Sequence, residues 1–133
     1  MDKIKSFKDK CIIIRIRTEN IAIRGSIDKD VHRCWRMRLD RAKDCDYVLA
    51  VVDYSPEVKG VFKPDNWYCP DDEFCKGKEE ECKRIANTNT ALCKKIKKRI
   101  AFEGKEITND VNYLHKEIPK QYFPGQNPFR YTY

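Results

Sequence analysis

Residues 46–68, DYVLAVVDYSPEVKGVFKPDNWY, decide how this chain is read. Tyr47 to Val52 is an unbroken apolar run bounded by Asp46 and Asp53, both poor strand formers, and so predicts a strand buried on both faces. Turn formers follow in Asp53-Tyr54-Ser55-Pro56-Glu57. Val58 to Lys63 then alternates, placing Val58, Gly60 and Phe62 on one side and Lys59, Val61 and Lys63 on the other. The pattern is a β-hairpin with a wetter second strand. Pro64-Asp65 closes that strand on the sequence reading, because proline cannot donate to a ladder, and Asn66-Trp67-Tyr68 leads away with two large aromatics at the hairpin mouth.

Upstream, Cys11-Ile12-Ile13-Ile14-Arg15-Ile16-Arg17 passes from a continuous apolar run to alternation, a strand that enters a core and ends at its edge. Residues 18–30 read as irregular, with Ile21, Ile23 and Ile27 packed against the sheet and Arg24-Gly25-Ser26 as a turn. Residues 32–38, HRCWRMR, concentrate three arginines around Trp35. Residues 39–45 fit a helix of about two turns that delivers the chain to the hairpin.

Downstream, residues 69–77 form a turn-rich acidic stretch. Residues 78–98 are strongly charged, with helical spacing of Cys82, Ile85 and Ala86 and then of Leu92, Cys93 and Ile96. Together, residues 69–98 read as a charged helical insertion in a single domain of residues 1–133, and the basic run at 94–99 reads as a solvated helix face. Residues 100–104 predict a short strand. A helix over 107–116, N-capped by Thr108, follows on the spacing of Val111, Leu114 and Ile118, and Pro119 ends it. Residues 122–128 make a rigid Pro-Gly-Gln-Asn-Pro loop, and 129–133 a closing strand of alternating aromatics. The expected fold is α+β: a small curved mixed sheet or a PUA-like β-barrel, with short helices on the connections.

The 133 residues carry 28 Lys and Arg against 21 Asp and Glu, a net charge of +7, which favours an anionic partner; with 41% hydrophobic residues, wholesale disorder is excluded. Seven cysteines without a Cys-x-x-Cys pair announce neither a secreted disulfide framework nor a zinc site. No run approaches the roughly 18 apolar residues of a membrane span, and residues 1–10 have no apolar signal core, so a cytoplasmic protein without membrane contact is expected.

Several blocks resemble a family of uncharacterised bacterial and phage-borne proteins. They are Trp35-Arg36, Arg41-Ala42, Asp46 to Val51, Gly60 to Asp65, Trp67, Phe102-Glu103-Gly104 and the closing stretch Gln126 to Tyr131. His32-Arg33 stands where members carry Arg-Gly, and the 69–98 stretch is longer than in the family. The order of a Trp, a short helix, a buried strand and a Gly-Val-Phe strand also looks like the PUA, EVE and ASCH barrels. That resemblance implies reading of modified bases or RNA.

The resulting expectation is a non-catalytic binding module for a nucleic acid, a modified base or a nucleotide. Trp35, Trp67 and Tyr68 are the stacking candidates, Arg33, Arg36 and Lys63 the phosphate-facing charges, and Gln126 with Asn127 the amides for a base edge. The bland alternative makes Trp67 a plug in the core. Two other classes compete. A magnesium-dependent nuclease would use Asp46 or Asp53 with Glu57-Val58-Lys59, the acids holding the metal and the lysine polarising water; a phage-borne factor would instead bind a protein partner. Only His32 and His115 are present, and no Gly-rich phosphate loop exists, so no cofactor is expected.

Overall fold

The computed structural model describes residues 2–27, 31, 35–68 and 100–133, the side chains of residues 23, 24 and 68 excepted. The charged insertion, the later cysteines at 69, 75, 82 and 93, and Arg33 therefore lie outside the described residues. Five strands form one mixed sheet: β1 (Cys11–Ile16), β2 (Tyr47–Val52), β3 (Gly60–Tyr68), β4 (Ala101–Glu106) and β5 (Phe129–Tyr131), in the order β4-β3-β2-β1-β5. β1 and β2 are parallel, and the other neighbours are antiparallel. β4 and β5 are the two edges, so among the described residues the sheet is open. The mixed sheet of the sequence reading stands, but without closure into a barrel.

Every residue of β1 is buried, as is the centre of β2, because both faces of the sheet are covered. The parallel pairing of β1 and β2 requires a crossover, whose described residues include the short helices α1 (Thr18–Arg24) and α2 (Leu39–Ala42). It lies over the first face. There Val31, Met37 and Ala42 pack on Ile12, Ile14, Val48, Ala50 and Phe62. The second face takes the alternate residues Cys11, Ile13, Leu49, Val51 and Val61, under Ile4 from the N-terminal arm and Tyr113 and Ile118 from the segment after β4.

Register enforces this split. Val48 lies opposite Phe62 and Leu49 opposite Val61, so one strand pair feeds both cores. Val61 is fully buried beside Val58 on the second face, so the wetter second strand of the sequence reading is corrected at Val58 to Phe62. The alternation rule failed because Gly60 to Phe62 are covered on both sides, while the Lys63–Asn66 stretch reaches solvent.

Three further expectations change. β3 does not close at Pro64 but continues to Tyr68 after a register shift between Pro64 and Asn66, with Pro64 opposite Gly104. The bulge tolerates the proline, and a Cβ on Gly104 would collide with the Lys63 carbonyl and come within 2.8 Å of Pro64 Cα. The irregular stretch after β1 contains α1. Its first turn is capped from another strand, Asp53 accepting the Thr18 amide at 3.2 Å and the Thr18 hydroxyl at 2.5 Å, and Gly25 at φ 95° ends it by donating to Ile21. The helix expected at 107–116 is absent; turns stand in its place, with the Asp110 carboxylate accepting the amides of Tyr113 at 2.6 Å and Leu114 at 2.9 Å. An Asx-type bond there outcompetes helical continuation. Among the described residues, no helix is long and apolar enough to cross a membrane.

Candidate functional site

The Pro124–Pro128 stretch cannot form regular structure, since two prolines lack donors and Gly125 between them lacks a side chain. It is fastened instead by one residue. Arg15 of β1, 8% exposed, donates its Nε–H to the Pro124 carbonyl at 3.4 Å, and its backbone amide to the Pro128 carbonyl at 2.7 Å. Both ends of the loop are thus tied to the central sheet. Gln126 and Asn127, between the anchors, are exposed.

The other wall comes from α2. Arg41 lies with its guanidinium carbon 4.1 Å from the Tyr131 ring centroid and 5.4 Å from that of Tyr133, and it donates to the Tyr133 carbonyl. The Tyr133 hydroxyl returns a 2.6 Å bond to the Arg41 carbonyl. This reciprocal latch fixes α2 against the chain after β5. Between latch and loop lies a recess of about 590 Å³ at the open edge of the sheet, lined by Arg41, Gln126, Asn127, Phe129, Arg130 and Tyr131 together with the Pro124-Gly125 turn. Its lining holds two guanidinium groups, two primary amides and no carboxylate. Such a lining attracts an anion and offers paired donors and acceptors beside it.

The residues singled out from sequence scatter. Gln126 and Asn127 meet in the recess. Arg36 and Lys63 are exposed but line neither this recess nor the one near the N-terminal arm. Trp35 is half-buried, its indole N–H given to the Val31 carbonyl at 2.7 Å and its backbone paired with Ile100, so packing and an edge bridge account for it. Trp67 is 6% exposed and lies 4.9 Å from the Phe102 ring, a core position that denies its faces to a base. Tyr68 pairs with Ala101 through its backbone. Arg41, Arg130 and Tyr131 were not among the singled-out residues, although they stand in the Arg41-Ala42 and Gln126–Tyr131 blocks. The usable signal was that two such blocks, far apart in sequence, each carry an arginine.

The carboxylates of the nuclease alternative, Asp46 or Asp53 with Glu57, have the following partners. Asp46 and Asp53 flank opposite ends of β2, roughly 23 Å apart at about 3.3 Å per residue. Asp46 accepts the Lys10 amide at 2.9 Å, and Asp53 caps α1. Glu57 is engaged by Lys59 at 3.2 Å and by His115 Nδ1 at 3.1 Å, and these partners hold its carboxyl below the usual glutamate range. No group of three or more His, Cys, Asp or Glu among the described residues is arranged to hold a metal ion. Comparison of the chain with protein-family models, with curated proteins and with solved structures gave no match.

Proposed function

We propose that this chain is a non-catalytic binding module for a nucleotide or a nucleic acid, and that the recess beside β5 holds a base with its phosphate. One observation carries the reading: Gln126, Asn127, Arg41 and Arg130 line one recess that has no carboxylate. Arg130, exposed on β5, supplies the phosphate-facing charge. Arg41 adds field while its stack on Tyr131 keeps it in place, and the two amides present donor and acceptor pairs to a base edge. The arginines favour phosphate because a planar fork matches two oxygens at once.

This reading differs from the sequence expectation in where stacking would come from. Trp67 serves the core, and Phe129 and Tyr131 are the aromatic groups at the recess. It also stands without the PUA-like barrel, since an open sheet edge and an anchored loop suffice to build the site. A thermal-shift screen of the full chain over nucleoside monophosphates, modified nucleosides and short oligonucleotides tests it. At least one such ligand is expected to raise the melting temperature in the parent and not in Asn127→Ala with Arg130→Gln; a flat response across the panel would contradict the proposal.

A further inference from the structure

A second recess, of about 630 Å³, lies on the other side of the sheet between the N-terminal arm and the segment after β4. The arm is held there by its backbone. Ile4, 4% exposed, donates its amide to the Glu117 carbonyl at 3.0 Å, the Glu117 amide donates to the Asp2 carbonyl at 2.8 Å, and Phe7 stacks 5.8 Å from Tyr113. Because Ile4 points into the core, extended geometry turns Lys3 and Lys5 to the opposite side. Lys8 and Lys116 bring the lysines lining the recess to four, against one acidic residue, Asp2, in its lining.

Two nearby carboxylates outside the lining hold neutral donors. Asp9 accepts the Tyr113 hydroxyl at 2.7 Å, and Asp110 takes the Tyr113 and Leu114 amides. Glu117 joins the arm through its backbone. Among the described residues, none of the four lysines forms an ion pair. A merely soluble surface intersperses both signs, whereas here four like charges are gathered by backbone bonds that do not depend on them. A partner carrying several negative charges close together gains from all four at once.

We infer that the recess bounded by Lys3, Lys5, Lys8 and Lys116 is an anion site for a run of consecutive phosphates, separate from the recess beside β5. Lysines suit this ligand because each is a mobile point charge able to follow a flexible chain of phosphates without fixed geometry. Ser6 and Asn112 add neutral donors at the rim. The same chemistry is offered by a free inorganic oligophosphate and by a nucleic-acid backbone.

The test is calorimetric titration of the full-length chain with inorganic tripolyphosphate and with a single-stranded oligonucleotide at low salt. The parent is compared with a variant carrying Lys→Gln at 3, 5, 8 and 116 and with one carrying Lys→Arg at those positions. The expected result is at least a tenfold loss of tripolyphosphate affinity in the glutamine variant, retention in the arginine variant, and a shallower dependence of affinity on salt after charge removal. Circular dichroism checks that the variants fold. Binding of tripolyphosphate alone assigns the site to free oligophosphates, and binding of both with similar loss assigns it to phosphate runs in general. The glutamine variant is expected to keep the thermal-shift response to nucleoside monophosphates assigned to the recess beside β5, which separates the two sites. No binding by the parent, or affinity within twofold in the glutamine variant, would overturn the inference.

Discussion

Arg15 holds Pro124 from across the sheet, its Nε–H on the Pro124 carbonyl at 3.4 Å, while the same residue's amide binds Pro128 at 2.7 Å. The loop that presents Gln126 and Asn127 is therefore positioned by a buried strand residue that never reaches the recess itself. Arg15→Met keeps the length of the side chain and the backbone bond but removes the donor, at a cost of about 1–3 kcal/mol for the stranded carbonyl. Faster amide hydrogen exchange at residues 125–127 is the expected consequence, and unchanged exchange would show that the prolines alone hold the loop.

The approach of β4 to the bulge in β3 sets a second prediction. A side chain at Gly104 would strike the Lys63 carbonyl and the Pro64 Cα. Neither is a flexible group that can move aside. Gly104→Ala is expected to destabilise the protein by about 1–3 kcal/mol as an overpacking change. In contrast, a Cβ at Gly125 meets nothing within 4 Å, and Gly125→Ala should leave urea midpoints unchanged. Equal midpoints for both variants would contradict the register described for β3 and β4.

Much of the fold was legible because hydrophobic pattern and backbone chemistry agreed. The run at Tyr47 to Val52 declared a doubly covered strand, and the Ile12–Ile14 run declared another strand, though not that the two pair. Where pattern and tertiary cover disagreed, the sequence misled: Val61 alternates with Lys59 and Lys63 yet is buried, because the segment after β4 folds over it. Residues 107–116 have helical spacing, but Asp110 binds two amides ahead of it and stops the turn from propagating. The site was half legible. Gln126 and Asn127 stand out in a proline-framed loop, whereas Arg41 joins them through an Arg–tyrosine latch between residues 92 apart, which no local pattern encodes.

Two thiols should be inert in the native state. Burial, then the nearby Asp9 charge, pushes the Cys11 thiol up to about 12, and burial, then Cys11 itself, does the same for Cys45. Neither forms the reactive thiolate near neutral pH. Peptide mapping after brief iodoacetamide treatment should find both unmodified until denaturant is added. Rapid native labelling of Cys11 would be incompatible with its place between β2, β5 and Tyr113.

Acid stability follows from Asp53. The Thr18 hydroxyl and amide hold its carboxyl below the ordinary aspartate value of 3.8. A depressed folded value means that the stabilisation is present above the unfolded value and is lost as pH falls through the folded one. The window therefore lies below about pH 4 for a group with this reference value. Asp53 also adopts φ 50°, which Asn tolerates nearly as well. Urea unfolding at pH 5 and pH 3 should show a smaller acid loss for Asp53→Asn than for the parent; parallel losses would assign the acid limb to Glu57 and its Lys59 and His115 partners.

The central claim is that the anchored loop and α2 together hold a nucleotide or nucleic-acid ligand. Its most direct measurement is a two-dimensional amide spectrum of labelled protein during titration with the best ligand from the thermal-shift screen. Saturable shifts of the Gln126 and Asn127 side-chain amide signals are expected together with the Arg130 and Tyr131 backbone signals, and are expected to be lost in Arg130→Gln. Saturable shifts confined to other residues, or no shift at these four under conditions where binding is otherwise detected, would contradict it.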